Sequence, residues 1–328
     1  MTALRWGILA TGWIATSFAH DLIAQGHQVV AVGSRTQESA DAFAARFGIA
    51  QAHGSYEALA ADPEVDIIYV STPHPLHAEN TKLALKNGKH ALVEKAFTLT
   101  HAEAEELQAL AAESGLLVME AMRPRYMPHM DRVHEIIAAG TLGEVRAMTA
   151  EHTQSLPVDP AHRLNALELG GGALLDLGIY PISLVWDVLG APTAIKALGR
   201  LGDTGADTEV ATIMTHDNGA ISTTLSSSRA AGRNGATITG TKARIEIDSV
   251  WSSPTRFEVI ATDGSVLETY SEADPASSLQ LEAAAAERYI AEGVRDSDRL
   301  PLAESVAIMG ALDEIRRQIG VRYPHESD

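Results

Sequence analysis

A chain of 328 residues with 45% hydrophobic and 21% charged side chains has the balance of a globular protein and the length of two domains. Its formal net charge of −18 repels phosphate backbones and anionic lipid, which argues against nucleic acid or a membrane as partner; no apolar run approaches the roughly 18 residues of a membrane span. The lack of cysteine excludes disulfides and thiol chemistry, and MTALRWGIL enters a strand without a basic region or cleavage signal, so a cytoplasmic location is expected.

In the first third, short apolar runs alternate with amphipathic stretches. Strands are predicted at 4–9, 28–33, 65–71, 90–94 and 116–120, and helices near 13–25, 37–47, 76–87 and 101–114. Gly48, Gly88 and Gly115 fall just past helices, where a left-handed cap costs least. The alternation predicts an α/β Rossmann domain over 1–122: a doubly wound parallel sheet that binds ligands at the C-terminal ends of its strands.

Past residue 122, Arg123, Pro124, Arg125 and Pro128 break the alternation. A helix is predicted near 129–139 and a strand near 144–152. The run Gly170-Gly171-Gly172 precedes a long apolar helix from about 173 to 189. Strands follow from 193 to 270, punctuated by Asp217-Asn218-Gly219 and Asp263-Gly264, and two helices close the chain near 277–293 and 302–319. The second domain, 123–328, is therefore expected to be α+β with a large, mainly antiparallel sheet.

GILATGWIA (7–15) follows the first strand and opens a helix. Set on the pattern G-x-G-x-x-G/A it places Ala10, Gly12 and Ala15 at the three small positions. Ala10, Thr11, Gly12, Trp13 and Ile14 then wrap a pyrophosphate at the helix N-terminus. Alanine in the tight-turn position is a departure, and a plain strand-to-helix turn is the bland alternative. The second strand ends in Gly33-Ser34-Arg35-Thr36 without the carboxylate that an NAD site places on the ribose. Ser34 and Thr36 can donate hydrogen bonds and Arg35 can fork onto a phosphate, so NADP is favoured over NAD; an arginine on a solvated helix start is the alternative.

The third strand runs into Ser71-Thr72-Pro73-His74-Pro75-Leu76-His77. Thr72 and Pro73 would floor the nicotinamide ribose. His74 and His77 lack converging ligands, so no metal is expected and His77 reads as a cap or core residue beside the cofactor. Lys95 stands where the apolar strand HALVE ends, a place where lysine is rare unless paired, and Glu94 points to the opposite face. Asp176 and Tyr180 are four apart, one face of a helix. If that face meets Lys95, an ammonium, a carboxylate and a phenol converge. The ammonium would then ease ionisation of the phenol, which could exchange the proton of a substrate oxygen during hydride transfer. A helix-start carboxylate and a core tyrosine are equally compatible with the spacing. His162 and Arg163, ahead of the glycine run, could reach substrate or lie in a surface loop. His129 and His134 have poor metal spacing, and Glu282 to Glu287 read as a helix face.

With these residues the chain resembles the Gfo/Idh/MocA oxidoreductases over essentially its whole length, through GILATGWIA, STPHPLH, GKHALVEKAF, MEAMRPRYMP, GGGALLDLGIYP and PLAESVAIMGALDEIRRQIG. The resemblance implies that Lys95 is the active-site lysine, that Asp176 and Tyr180 are the catalytic pair, and that Glu94 and Lys95 border the cofactor. Tyrosine at 180 resembles the branch of dimeric dihydrodiol dehydrogenase, xylose dehydrogenase and glucose–fructose oxidoreductase, mostly NADP enzymes. Two departures stand out. Ala96 replaces the family proline after Lys95, and a trans Lys95–Ala96 bond is expected because cis costs a non-proline bond several kcal/mol. Arg123-Pro124 replaces an aromatic stretch, which hints at a polar or anionic substrate; a solvated arginine is the favoured alternative. The expected function is NADP-dependent hydride transfer on a sugar or related cyclic polyol. A trans-dihydrodiol or other non-sugar alcohol is the first rival, and a non-catalytic NADP-binding regulator the second. By resemblance the uncovered face of the second sheet makes a homodimer or homotetramer.

Overall fold

The alternating first third folds into one parallel sheet, and residues 145–271 supply the strands of a second, larger sheet. The computed structural model describes residues 4–271 and 278–324. They fall into two units, Met1–Arg123 with Ser277–Met309, and Pro124–Ala276 with Gly310–Asp328. The first unit thus joins the stretch up to Arg123 with a late segment of the chain.

In the first unit the elements run β1 (Arg5–Leu9), α1 (Trp13–Ala24), β2 (Gln28–Gly33), α2 (Gln37–Phe47), β3 (Gln51–His53), α3 (Tyr56–Ala60), β4 (Ile67–Val70), α4 (His77–Lys86), β5 (His90–Glu94), α5 (His101–Ser114) and β6 (Val118–Ala121). The sheet order is β3-β2-β1-β4-β5-β6, all parallel. The order reverses at β1/β4, which opens a crevice at the C-terminal ends of those strands. Strands buried on both faces explain the continuous apolar runs. Local signals set the helix ends: Thr36 caps α2, a Thr100/Glu103 capping box starts α5, and Gly48 and Gly115 close both helices with positive φ. Trp6, Phe18 and Tyr69 form a buried aromatic column, with Phe18 and Tyr69 stacked at 3.7 Å.

The second unit begins with a short turn, then α6 (Pro128–Ala138), β7 (Val145–Thr153), α7 (Ile179–Leu189), β8 (Pro192–Leu201), β9 (Asp207–His216), β10 (Ile221–Ser227), β11 (Ala236–Gly240), β12 (Ala243–Ile247), β13 (Arg256–Ala261) and β14 (Val266–Ser271). The strand order is β14-β13-β12-β11-β7-β10-β9-β8, antiparallel except for the β7/β10 pair. One face is buried through Met148, Ala150 and His152 on β7 and Val210, Thr212 and Met214 on β9. That is the period-two pattern of a sheet covered on one side. Arg125 is buried and locks α7 in place: Nη2 donates to Ser183 O at 2.8 Å, Nε to Ser183 Oγ at 3.1 Å, and Nη1 to Asp187 Oδ1 at 3.2 Å.

The long helix differs from expectation. Leu174–Gly178 is a π-helical turn and α7 starts only at Ile179. Pro181 has no N–H to give to Leu177 O, so the ordinary ladder cannot run through this point and the chain widens instead. The stretch 167–189 is long and apolar enough to cross a membrane by composition, yet 78% of its most apolar 18-residue window is buried inside the protein.

The last two helices are α8 (Leu279–Ala291) and α9 (Leu302–Ile319). In the first unit, Asp21 of α1 accepts from the backbone N–H groups of Ser278 and Leu279 at 3.4 and 3.3 Å, capping α8 from another helix. Glu287 Oε1 takes the Trp6 indole N–H at 2.8 Å and faces His27 Nδ1 at 2.8 Å.

Candidate active site

The loop between β1 and α1 has only three residues. Ala10 takes φ 89°, the conformation that the glycine of this motif supplies, and its N–H donates to Gly33 O at 2.9 Å. Gly12 is the N-cap of α1, and a Cβ there would meet nothing within 4 Å, so the protein itself does not demand glycine at this point. No side chain caps α1 and no acidic residue lies in its first turn. Its leading N–H groups are therefore suited to an anion, and this cradle fits a dinucleotide pyrophosphate. Trp13 is 81% exposed beside it, with Thr11 and Ile14 completing the turn.

At the end of β2, Ser34 is buried with its N–H on His53 O, and Arg35 is exposed with Tyr56 within its field. Thr36 accepts from Ser39 N and donates to Ser39 Oγ, so it serves α2 rather than a ligand. Next to β1, the strand β4 leads into Thr72, buried, and Pro73, exposed.

His77 is wholly buried, with Nε2 2.7 Å from Thr72 O and Nδ1 2.9 Å from Ala96 O. It lies between the loop after β4 and the loop after β5, with both ring nitrogens facing backbone carbonyls. Burial pushes the imidazole toward its neutral form, against the pull of the carbonyls, and the neutral ring donates to one of the two. The Lys95–Ala96 peptide is cis, which corrects the expected trans bond. That expectation weighed the isolated peptide alone; in the fold Ala96 is wholly buried and its carbonyl faces His77.

Lys95 is half-buried at the end of β5. Glu94 beneath it accepts from the Tyr69 hydroxyl and from Lys95 N at 3.2 Å. Burial pushes the Glu94 carboxyl up, with the Lys95 charge the strongest opposing influence. Arg123 is half-buried and its charge acts on Glu94 and Glu282. It balances buried carboxyls, which corrects the reading of a solvated arginine. Glu282 is a second correction: α8 turns it inward, it is fully buried, and neither carboxyl oxygen has a hydrogen-bond partner among the described residues. Burial holds its carboxyl far above the usual range.

In the second unit Asp176 is buried in the π-turn, and Arg163 brings Nη1 and Nη2 to 3.3 Å from its Oδ1. Tyr180, one turn on and partly exposed, stacks on His152 with ring centroids 5.0 Å apart at 27°. His152 in turn meets the edge of Trp251, whose indole N–H donates to Glu151 O at 2.9 Å. Sequence reasoning missed His152, although the alternation of β7 through Met148 and Ala150 puts it on the inner face. His162 lies within its own loop, its carbonyl accepting from Asn165 N at 2.8 Å and its Nδ1 from Leu164 N at 3.4 Å. Among the described residues no three His, Cys, Asp or Glu side chains are grouped to hold a metal.

Comparison with known proteins gives these geometries a family. Residues 4–122 match the oxidoreductase family's NAD-binding Rossmann fold, and residues 130–246 match the GFO/IDH/MocA C-terminal domain. The chain is 35% identical to trans-1,2-dihydrobenzene-1,2-diol dehydrogenase of Mus musculus over 99% of both chains. It is 36% identical to the NADP(+) D-xylose 1-dehydrogenase of Hypocrea jecorina over 98% of this chain and 93% of that one. The crystal structure of KijD10, a 3-ketoreductase from Actinomadura kijaniata in complex with NADP and TDP-benzene, superposes with a TM-score of 0.86 at 28% identity, covering 97% and 98% of the two chains. With family models matched over both parts of the chain and relatives about one-third identical over nearly its whole length, the chain belongs to the Gfo/Idh/MocA family and is an NAD(P)-binding oxidoreductase acting on CH–OH groups.

Proposed function

We propose that the protein is an NADP-dependent oxidoreductase that interconverts an alcohol or lactol with a carbonyl on a sugar or related cyclic polyol. The observation that carries this reading is the second-unit pair: Asp176 held by Arg163 and Tyr180 held against His152, each with a fixed partner, one turn apart. When bound, the nicotinamide supplies or accepts the hydride. Tyr180 gives the substrate oxygen its proton in reduction and takes it in oxidation; Lys95 polarises that oxygen and Asp176 orients the reacting groups. Arg35 and the lack of a carboxylate between Gly33 and Thr36 support NADP. So do the NADP(+) xylose dehydrogenase and the NADP complex of the ketoreductase. The similarity to dihydrodiol dehydrogenases, equal in degree, supports a second substrate reading, a trans-dihydrodiol.

The protein is read as a cytoplasmic homodimer or homotetramer. The outer face of the second sheet supports the assembly: Leu198, Ile213, Ile221 and Leu225 are exposed there, around a concavity of about 460 Å³ lined by Thr149, Ile213, Thr223 and Leu225.

A panel of aldoses, ketoses and trans-dihydrodiols with NAD and NADP tests the substrate. Tyr180→Phe is expected to lose nearly all turnover while binding NADPH normally; full turnover in that variant overturns the assignment.

A further inference from the structure

Asp207 opens β9 and is 2% exposed. Its Oδ2 accepts from Leu174 N at 2.7 Å, the first residue of the π-turn. Its Oδ1 has no hydrogen-bond partner among the described residues and lies against Gly172. A Cβ on Gly172 would stand 2.2 Å from that oxygen, and Gly172 also holds φ 139°, which side-chain-bearing residues rarely adopt. Glycine and carboxylate are therefore matched, one leaving the space that the other fills. The helical segment has no side-chain cap of its own at Ala173, so its leading N–H is served from the sheet. A negative charge at this end also suits the helix dipole. Asp176 and Tyr180 follow Leu174 by two and six residues.

We propose that Asp207 is a positioning residue: by anchoring the first turn of the segment 174–189 to β9, it fixes the height and rotation at which Asp176 and Tyr180 are presented. The inference rests on the reading that those two residues serve the substrate. The surroundings agree with an anchoring charge. Burial pushes the Asp207 carboxyl up to about 6, while the N–H groups of Leu174, Asp207 and Ala173 and the charge of Arg316 on α9 oppose that rise. The geometry also makes a distinction between amide and methyl at this site. Asparagine keeps an oxygen for Leu174 N, whereas alanine removes it.

The test measures amide hydrogen exchange over residues 174–180 together with kcat, KM and NADPH affinity in Asp207→Ala and Asp207→Asn. Asp207→Ala is expected to speed exchange of those amides about tenfold or more and to lower kcat by about 10- to 100-fold, with NADPH affinity within about twofold. Asp207→Asn is expected to restore both to within a few-fold of wild type. If Asp207→Ala does not fold, Gly172→Ala, which pushes on Oδ1 while leaving the carboxylate, is expected to give the same local loosening. Wild-type exchange in the alanine variants overturns the anchor, as does an Asp207→Asn protein as impaired as Asp207→Ala. Failure of the chemical reading shows up separately, as an active Tyr180→Phe enzyme, and leaves the exchange result to stand by itself.

Discussion

Both terminal nitrogens of Arg163 converge on one oxygen of Asp176, each at 3.3 Å. The arginine side chain is 55% exposed and the aspartate 12%, so solvent screens the pair and its worth to stability is about 1 kcal/mol or less. Its greater consequence is the direction in which the carboxylate points. Arg163→Ala is expected to lower kcat/KM by about 5- to 10-fold without changing NADPH affinity, with Arg163→Lys recovering part of the loss. Steady-state kinetics decide this; wild-type kcat/KM in the alanine variant contradicts it.

Arg35 supplies the cation expected to meet a 2′-phosphate. Arg35→Ala should weaken NADPH by about 10- to 100-fold and NADH hardly at all, since one charge-assisted contact to phosphate contributes about 1.5–3 kcal/mol. Fluorescence titration with both cofactors provides the check, and an equal loss for the two would remove Arg35 from the phosphate.

Ala10 holds a backbone conformation natural to glycine, φ 89°. Relieving it recovers on the order of 1–3 kcal/mol, less about 1 kcal/mol for the added freedom of glycine when unfolded. Ala10→Gly should therefore raise Tm by roughly 2 °C and keep cofactor binding. A lower Tm in a thermal melt would show that the loop geometry is set by something other than this residue.

Glu282 has a pH signature. Its carboxyl lies well above the ordinary 4.5 when folded and returns to that value when unfolded. The folded state therefore binds the extra proton, and stability falls as pH rises from about 4.5 toward the folded value. Glu282→Gln lacks this slope, so its Tm advantage over wild type should be small at pH 5 and grow by pH 8. Glu282→Met, which also removes two unsatisfied oxygens, is expected to gain about 1–3 kcal/mol at neutral pH. Parallel melts at the two pH values test both; a gap that shrinks with pH refutes the sign.

The nucleotide sheet was legible because most of its strands and helices carry their own period and punctuation: five of the six strands, four of the five helices, and the caps at Gly48 and Gly115 follow from local sequence, while the short helix Tyr56–Ala60 does not. The missing strand, Gln51–His53, has three residues and no alternation to detect. The catalytic candidates were legible by spacing and family pattern, but their partners were not. Arg163 reaches Asp176 across a loop, and His152 reaches Tyr180 from a strand 28 positions earlier, contacts that only the assembled sheet creates. The π-turn was hidden because an apolar helix and a widened one share the same composition, although Pro181 signalled the break. Glu282 misled for a related reason. A glutamate among alanines looks like a solvated face until the late helix is seen to return to the first unit.

That return carries a lesson about the order of synthesis. Asp21 waits for the amides of Ser278 and Leu279, and Trp6 and His27 wait for Glu287. A ribosome releases the first strands more than 250 residues before these partners, since Ser278 lies 257 positions beyond Asp21. The nucleotide unit must pass most of translation with an uncapped flank, and it becomes complete only after the second sheet has emerged. A fragment stopped at residue 123 would leave that flank open for good, so the two ends of the gene are joint authors of one nucleotide-binding body.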